Sequence, residues 1–135
     1  YCDLDSLLKR ADFVVLTVDL NAESKALMSE KQFELMQNHA VFVNISRGSV
    51  VDEQALISTL KSRKIFAAGL DVYQKEPLQQ SELFELDNVV TLPHVGSATA
   101  ETRYKMAELA FQNLERALSG QKPTYVVNPN FNATR

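Results

Sequence analysis

The 135-residue sequence contains a single cysteine, Cys2, which excludes an internal disulfide framework and any multi-cysteine metal site and points to a reducing, cytoplasmic setting. Long hydrophobic runs are also missing. The longest apolar stretches, such as Phe13 to Val18, fall far short of the roughly 20 residues a membrane-spanning helix needs, so no segment is expected to enter a bilayer. The formal net charge is -3, and the Lys and Arg residues are placed singly, so no basic stripe exists for a nucleic-acid backbone. Internal repeats and low-complexity segments are absent. The first residues, Tyr1 to Asp5, lack an initiating Met and the basic start and apolar run of a signal peptide, so the beginning reads as a cut end. An apolar content of 45% over this length suits one domain with a real core and not two.

Four short apolar runs stand out: Phe13 to Val18, Ala40 to Ile45, Ile65 to Leu70 and Asn88 to Leu92. Their continuous apolar character reads as strands of a parallel sheet covered on both faces by helices. Helical patterns lie between them. Ser29 with Gln32 forms a capping box ahead of Phe33, Leu35 and Met36, and Asp52 can cap a helix whose inner face is Ala55, Leu56, Thr59 and Leu60. Alternating strand and helix is the signature of a doubly wound, Rossmann-type α/β sheet. After the last strand, Thr99 can cap a long helix on which Met106, Leu109, Ala110, Asn113, Leu114 and Ala117 form one stripe, ending near Gly120 and docked on a neighbour. The segment Pro123 to Arg135 has no periodicity and reads as an extended tail. Met28, Met36 and Met106 are expected in the core, and His39 in solvent.

Ligands of an open parallel sheet bind beyond the carboxyl ends of its strands. The residues there are Thr17, Val18 and Asp19; Asn44, Ile45, Ser46, Arg47 and Gly48; Asp71; and Pro93, His94, Val95 and Gly96. Arg47 on a tight turn suits a bidentate hold on a carboxylate, although an Arg there can equally cap a neighbouring helix. His94 can exchange a proton near neutrality, or be structural. Glu76 precedes Pro77, which favours an extended backbone from which its carboxylate could reach an imidazole, although taken alone it reads better as an ordinary surface carboxylate. Asp71 sits at a strand tip, either as a functional acid or as the N-cap of the turn that follows. No metal cluster is evident.

Three segments then carry a resemblance. Asn44-Ile-Ser-Arg-Gly-Ser-Val-Val-Asp-Glu-Gln-Ala-Leu56, Gly69-Leu-Asp-Val-Tyr-Gln-Lys-Glu-Pro-Leu78 and Leu92-Pro-His-Val-Gly-Ser-Ala-Thr99 resemble, in order and spacing, the successive signatures of the D-2-hydroxyacid dehydrogenases. Within that family, Ser97 to Tyr104 and Val127-Asn-Pro129 look most like the bacterial glyoxylate/hydroxypyruvate reductases, also described as 2-ketogluconate reductases. The resemblance implies that Arg47 binds the carboxylate and carbonyl of a small 2-oxo acid, that His94 exchanges the proton and that Glu76 keeps His94 charged. It implies NAD or NADP as cofactor, contacted by Thr17, Val18, Asp19, Ile45, Ser46, Arg47, Asp71, His94 and Gly96.

It also implies an organisation. Residues 1–98 would be the C-terminal part of the cofactor domain, lacking its glycine-rich first turn, and 99–135 a helix and tail returning toward a substrate domain. The fragment alone would be inactive, an apolar strand edge and helix face would be exposed, and the family's members are commonly homodimers. One departure stands out: Asp19-Leu20-Asn21 replaces the family's Pro-Leu-Thr, which loosens the turn and puts an acid near the adenosine side. The competing readings are a non-catalytic, co-repressor-like protein of the same fold and a standalone binding module.

Overall fold

The computed structural model describes residues 1–128. Its strands are β1 (Phe13–Leu16), β2 (Val41–Asn44), β3 (Ala67–Leu70) and β4 (Val89–Thr91), and its helices are α1 (Leu4–Leu8), α2 (Glu30–Leu35), α3 (Glu53–Lys61) and α4 (Ala100–Leu118). Strand pairing is parallel throughout, in the order β1-β2-β3-β4. This is a Rossmann-type α/β sheet followed by a C-terminal helix. The chain divides into two compact units, Tyr1–Gly96 and the segment from Ser97 onward.

The helix starts are chemically specified. Asp52 accepts hydrogen bonds from the amides of Gln54 and Ala55 at the head of α3, and Thr99 accepts from Thr102 at the head of α4. Ser29 and Gln32 close the capping box of α2. Gly120, at φ 71, takes the left-handed conformation past the end of α4, with Gln121 N–H reaching back to the Arg116 carbonyl at 2.8 Å. Helix α1 was not expected from the sequence. Its signal is Asp3, whose side chain caps the Ser6 amide, followed by Leu4, Leu7 and Leu8 at helical spacing.

Parallel register sorts side chains into rows. Val14, Phe42, Ala68 and Val89 form one row on the inner face, and Leu16, Asn44, Leu70 and Thr91 form the next. Against these rows lie Leu8, Phe33, Leu56, Leu60, Ile65 and Leu83, all at 2% exposure or less. Phe33 and Phe42 meet edge to face with ring centroids 5.3 Å apart. Burial of each such ring contributes on the order of 2 kcal/mol.

The opposite face departs from expectation. Phe13 is 72% exposed, Val15 51% and Val90 63%, in rows with the partly exposed Val41, Val43, Ala67 and Gly69. The reason is topological. With strands in sequential order and crossovers of one hand, every connecting helix falls on the same side of the sheet. In α4 no residue is buried, and Met106 is 56% exposed, so the core role expected for Met106 is not realised among the described residues. Met28 and Met36 are core, and His39 is exposed beside Asp12. Residues 121–128 contain neither helix nor strand, and the rest of the expected tail, Pro129 included, lies outside the described residues. Among the described residues no helix is long and apolar enough to cross a membrane.

Candidate active site at the carboxyl ends of the strands

Asn44 closes β2 with its side chain 1% exposed, and the next turn winds around that buried amide. Its Oδ1 accepts from the Ser46 amide at 3.0 Å and the Ser46 hydroxyl at 2.9 Å, while Nδ2 donates to the Arg47 carbonyl at 3.1 Å. Arg47 is thereby fixed at its backbone but exposed at its side chain, where Nη1 donates to the Ser46 carbonyl at 2.7 Å. Most of the guanidinium's five N–H donors remain for a ligand.

Gly48 brings this turn against the loop that follows β3. A Cβ there would lie 1.9 Å from the Tyr73 carbonyl carbon, so only glycine permits the approach. Tyr73, 7% exposed, shares its one hydroxyl hydrogen between the carbonyls of Leu70 at 3.1 Å and Leu92 at 2.8 Å, bridging the ends of β3 and β4. Burial pushes its phenol pKa up, which keeps it a donor.

The Tyr73 amide in turn donates to Glu76 Oε1 at 3.0 Å, and Glu76 Oε2 lies 2.7 Å from His94 Nδ1. The hydrogen bond from His94, then that from Tyr73, hold the Glu76 carboxyl below its ordinary range, with the charges of His94 and Arg47 adding to the effect. A carboxylate only accepts, so Nδ1 carries a proton and Nε2 is the ring nitrogen left for chemistry. His94 itself has φ 54. A non-glycine residue there costs on the order of 1–3 kcal/mol, and persists only when its surroundings over-determine it. The two amides after it supply that restraint: Val95 N–H donates to Asp71 Oδ1 at 2.7 Å and Gly96 N–H to Asp71 Oδ2 at 2.8 Å. Asp71 therefore caps a distant loop and not the turn that follows it.

Thr17, Val18 and Asp19 gather with Ile45, Ser46 and Arg47 around a recess of about 560 Å³. The turn beyond Asp19 holds without the proline. Asn21 Oδ1 accepts from the amides of Glu23 and Ser24, and the Ser24 hydroxyl donates to the Asp19 carbonyl at 2.6 Å. Glu76 and His94 border a separate, mostly apolar cavity of about 490 Å³ with Tyr73, Leu78, Phe84 and Leu92. No cluster of three or more potential metal ligands occurs among the described residues. Sequence reasoning placed Asn44 and Gly48 at the end of the second run without giving either its structural task, and passed over Tyr73. An Asn ending an apolar run two residues before a Ser was the available signal for the first, while Gly48 meets Tyr73 and Tyr73 meets Leu92 across long stretches of sequence.

The fold and the polar rim define a Rossmann-type nucleotide-binding α/β unit. Residues 1–96 match the model of the D-isomer specific 2-hydroxyacid dehydrogenase, NAD binding domain, and the chain belongs to that family. It is 54% identical over 130 residues to glyoxylate/hydroxypyruvate reductase B of Klebsiella pneumoniae subsp. pneumoniae, covering 96% of this chain and 40% of the relative. Among solved structures, the NADPH-dependent glyoxylate/hydroxypyruvate reductase of Sinorhizobium meliloti in complex with NADP and malonate superposes with a TM-score of 0.88 at 33% identity, covering 98% of this chain and 41% of that one. D-lactate dehydrogenase with NAD+ from Lactobacillus jensenii gives 0.85 at 29% identity, covering 95% and 43%. The chain thus spans about 40% of the length of the curated relatives it matches.

Proposed function

We propose that this chain supplies the acid–base and carboxylate-binding residues of an NAD(P)-dependent oxidoreductase that reduces small 2-oxo acids, with glyoxylate, hydroxypyruvate and 2-ketogluconate as candidates. The observation that carries the reading is the 2.7 Å contact between Glu76 and His94, with the Arg47 charge acting on the same carboxylate. Arg47 holds the substrate carboxylate and orients the adjacent carbonyl, a bidentate task suited to its planar fork. His94 releases a proton from Nε2 to the carbonyl oxygen, and takes it back in the oxidative direction. Glu76 holds the Nδ1 proton and balances the imidazolium charge.

The recess at the ends of β1 and β2 fits a nicotinamide nucleotide in its mixture of groups. Val18 and Ile45 offer exposed apolar surface for a flat ring, and Thr17, Ser46 and Asp19 offer hydrogen-bonding partners, the acid suiting a ribose hydroxyl better than a phosphate. Asp71 and Gly96 complete the set proposed for the nicotinamide side. The bound cofactor supplies the hydride. The four glycines, at 48, 69, 96 and 120, are nowhere spaced as Gly-x-Gly-x-x-Gly, so these 135 residues alone are expected not to turn over.

In the organisation we infer, residues 1–98 are the later part of a cofactor domain and 99–135 return toward a substrate domain. The bare sheet face supports a covering partner, and we propose a homodimer. The lone Cys2 favours the cytoplasm. The test is NADH- and NADPH-dependent reduction of short 2-oxo acids by the complete polypeptide that carries this sequence, beside its His94→Asn variant. Turnover that falls by about a hundredfold or more in the variant is the expected result. A folded, cofactor-binding wild type without turnover on any short 2-oxo acid overturns the reading in favour of a non-catalytic role.

A further inference from the structure

We propose that Asp71 is a positioning residue for His94: a buried carboxylate that fixes the direction of the imidazole by gripping the two backbone amides immediately after it. The inference rests on the assignment of His94 as the proton donor. It gives Asp71 a role beyond lining the cofactor.

Asp71 is 5% exposed and sits at the tip of β3, where its own amide donates to the Asn44 carbonyl at 3.0 Å. One end of the grip is therefore tied into the sheet. At the other end, Val95 and Gly96 present consecutive N–H groups at 2.7 and 2.8 Å, one to each carboxylate oxygen. Holding both amides fixes the peptide planes on the carboxyl side of His94, whose φ of 54 a free loop would relax away from. The strand ends approach the same point, since the Leu92 amide donates to the Leu70 carbonyl at 2.8 Å and Tyr73 bridges both carbonyls. The imidazole thus leaves a backbone held on both sides, and Nδ1 falls at 2.7 Å from Glu76.

The chemistry requires an acid. A carboxylate accepts at both oxygens, whereas the isosteric amide accepts at one and turns an N–H donor toward the other backbone N–H. Space is tight as well: a Cβ on Gly96 would stand 3.1 Å from Asp71 Oδ2. Gly96→Ala therefore pushes on the grip without removing it.

The experiment uses the complete polypeptide and two readouts. The first is the low-field proton resonance of the His94 Nδ1–H hydrogen-bonded to Glu76, assigned by its loss in His94→Asn, which needs no turnover. The second is the steady-state split between kcat and the affinity for the nicotinamide cofactor. In Asp71→Asn the resonance is expected to vanish and kcat to fall about 10- to 100-fold, a larger change than any loss of cofactor affinity. An Asp71→Asn protein that keeps the resonance and loses cofactor affinity tenfold overturns the proposal and leaves Asp71 as a cofactor contact only. If Asp71→Asn does not fold, Gly96→Ala decides: a weakened resonance supports the grip, and an unchanged one refutes it. If the wild type shows the resonance but no turnover, the reductase reading fails while the grip is still measured.

Discussion

Replacing Gly48 by alanine should be among the most damaging single-methyl changes in the molecule. The added Cβ would lie 1.9 Å from the Tyr73 carbonyl carbon, 2.0 Å from its oxygen and 2.4 Å from the Gln74 amide nitrogen. Ordinary contact begins near 3.4 Å, so backbone must retreat by about 1.5 Å from 1.9 Å. Backbone atoms cannot rotate aside as a side-chain tip can. Overpacking of a tight site costs about 1–3 kcal/mol. The retreat also carries the Tyr73 hydroxyl away from the carbonyls of Leu70 and Leu92 that share its hydrogen, at about 1 kcal/mol. The sum is about 3 kcal/mol, a large fraction of a typical domain's stability.

Gly69→Ala is the control. Its Cβ would rest 3.8 Å from Val43, an ordinary contact, and a less flexible unfolded chain offsets any residual cost by about 0.4–1 kcal/mol. Urea unfolding of the complete polypeptide, followed by circular dichroism, should separate the two variants by about 3 kcal/mol or more. Equal stabilities would refute the claim that the Gly48 contact fixes the Arg47 turn against the Glu76 loop.

Two other predictions test the same rim. Asn44→Leu strips partners from the Ser46 amide and hydroxyl and the Arg47 carbonyl, so we expect a loss of about 3 kcal/mol, together with a raised KM for the 2-oxo acid as the Arg47 turn loosens; a loss under about 1 kcal/mol with unchanged KM would contradict it. The Glu76 carboxyl titrates below the ordinary carboxylate range in the fold, so its contribution to stability is complete above that ordinary range and is lost as pH falls through the folded value. Unfolding midpoints of wild type and Glu76→Gln should therefore converge on acidification between about pH 6 and pH 3. Parallel curves would show that the carboxylate is not held by His94 and Tyr73.

Much of this was readable from residue order alone. The four strands fall inside the four apolar runs, yet each is shorter, because Val18, Ile45, Ile65 and Phe66 are apolar without a partner strand alongside. The bare face was not readable. An alternating row such as Phe13 and Val15 is composed for burial whether or not this chain supplies what covers it. Arg47 and His94 announce themselves as polar groups just past apolar runs, and Glu76 as an acid ahead of Pro77. The groups that hold them do not, since Asp71 reaches residues 24 and 25 positions away and Tyr73 one 19 away, and no local pattern encodes such partners. Helix α1 escaped because five residues are too few to establish a period.

The left-handed backbone at His94 also narrows which sequences can occupy the site at all. Asn, Asp and Gly reach that conformation most readily, while a β-branched residue resists it before any proton is exchanged. Variation at position 94 is thus filtered first by conformation and only then by acidity. A family of substitutions there should fall into two groups: folded proteins lacking the acid, such as His94→Asn, and misshapen ones such as His94→Val. Only the first group measures what the imidazole contributes.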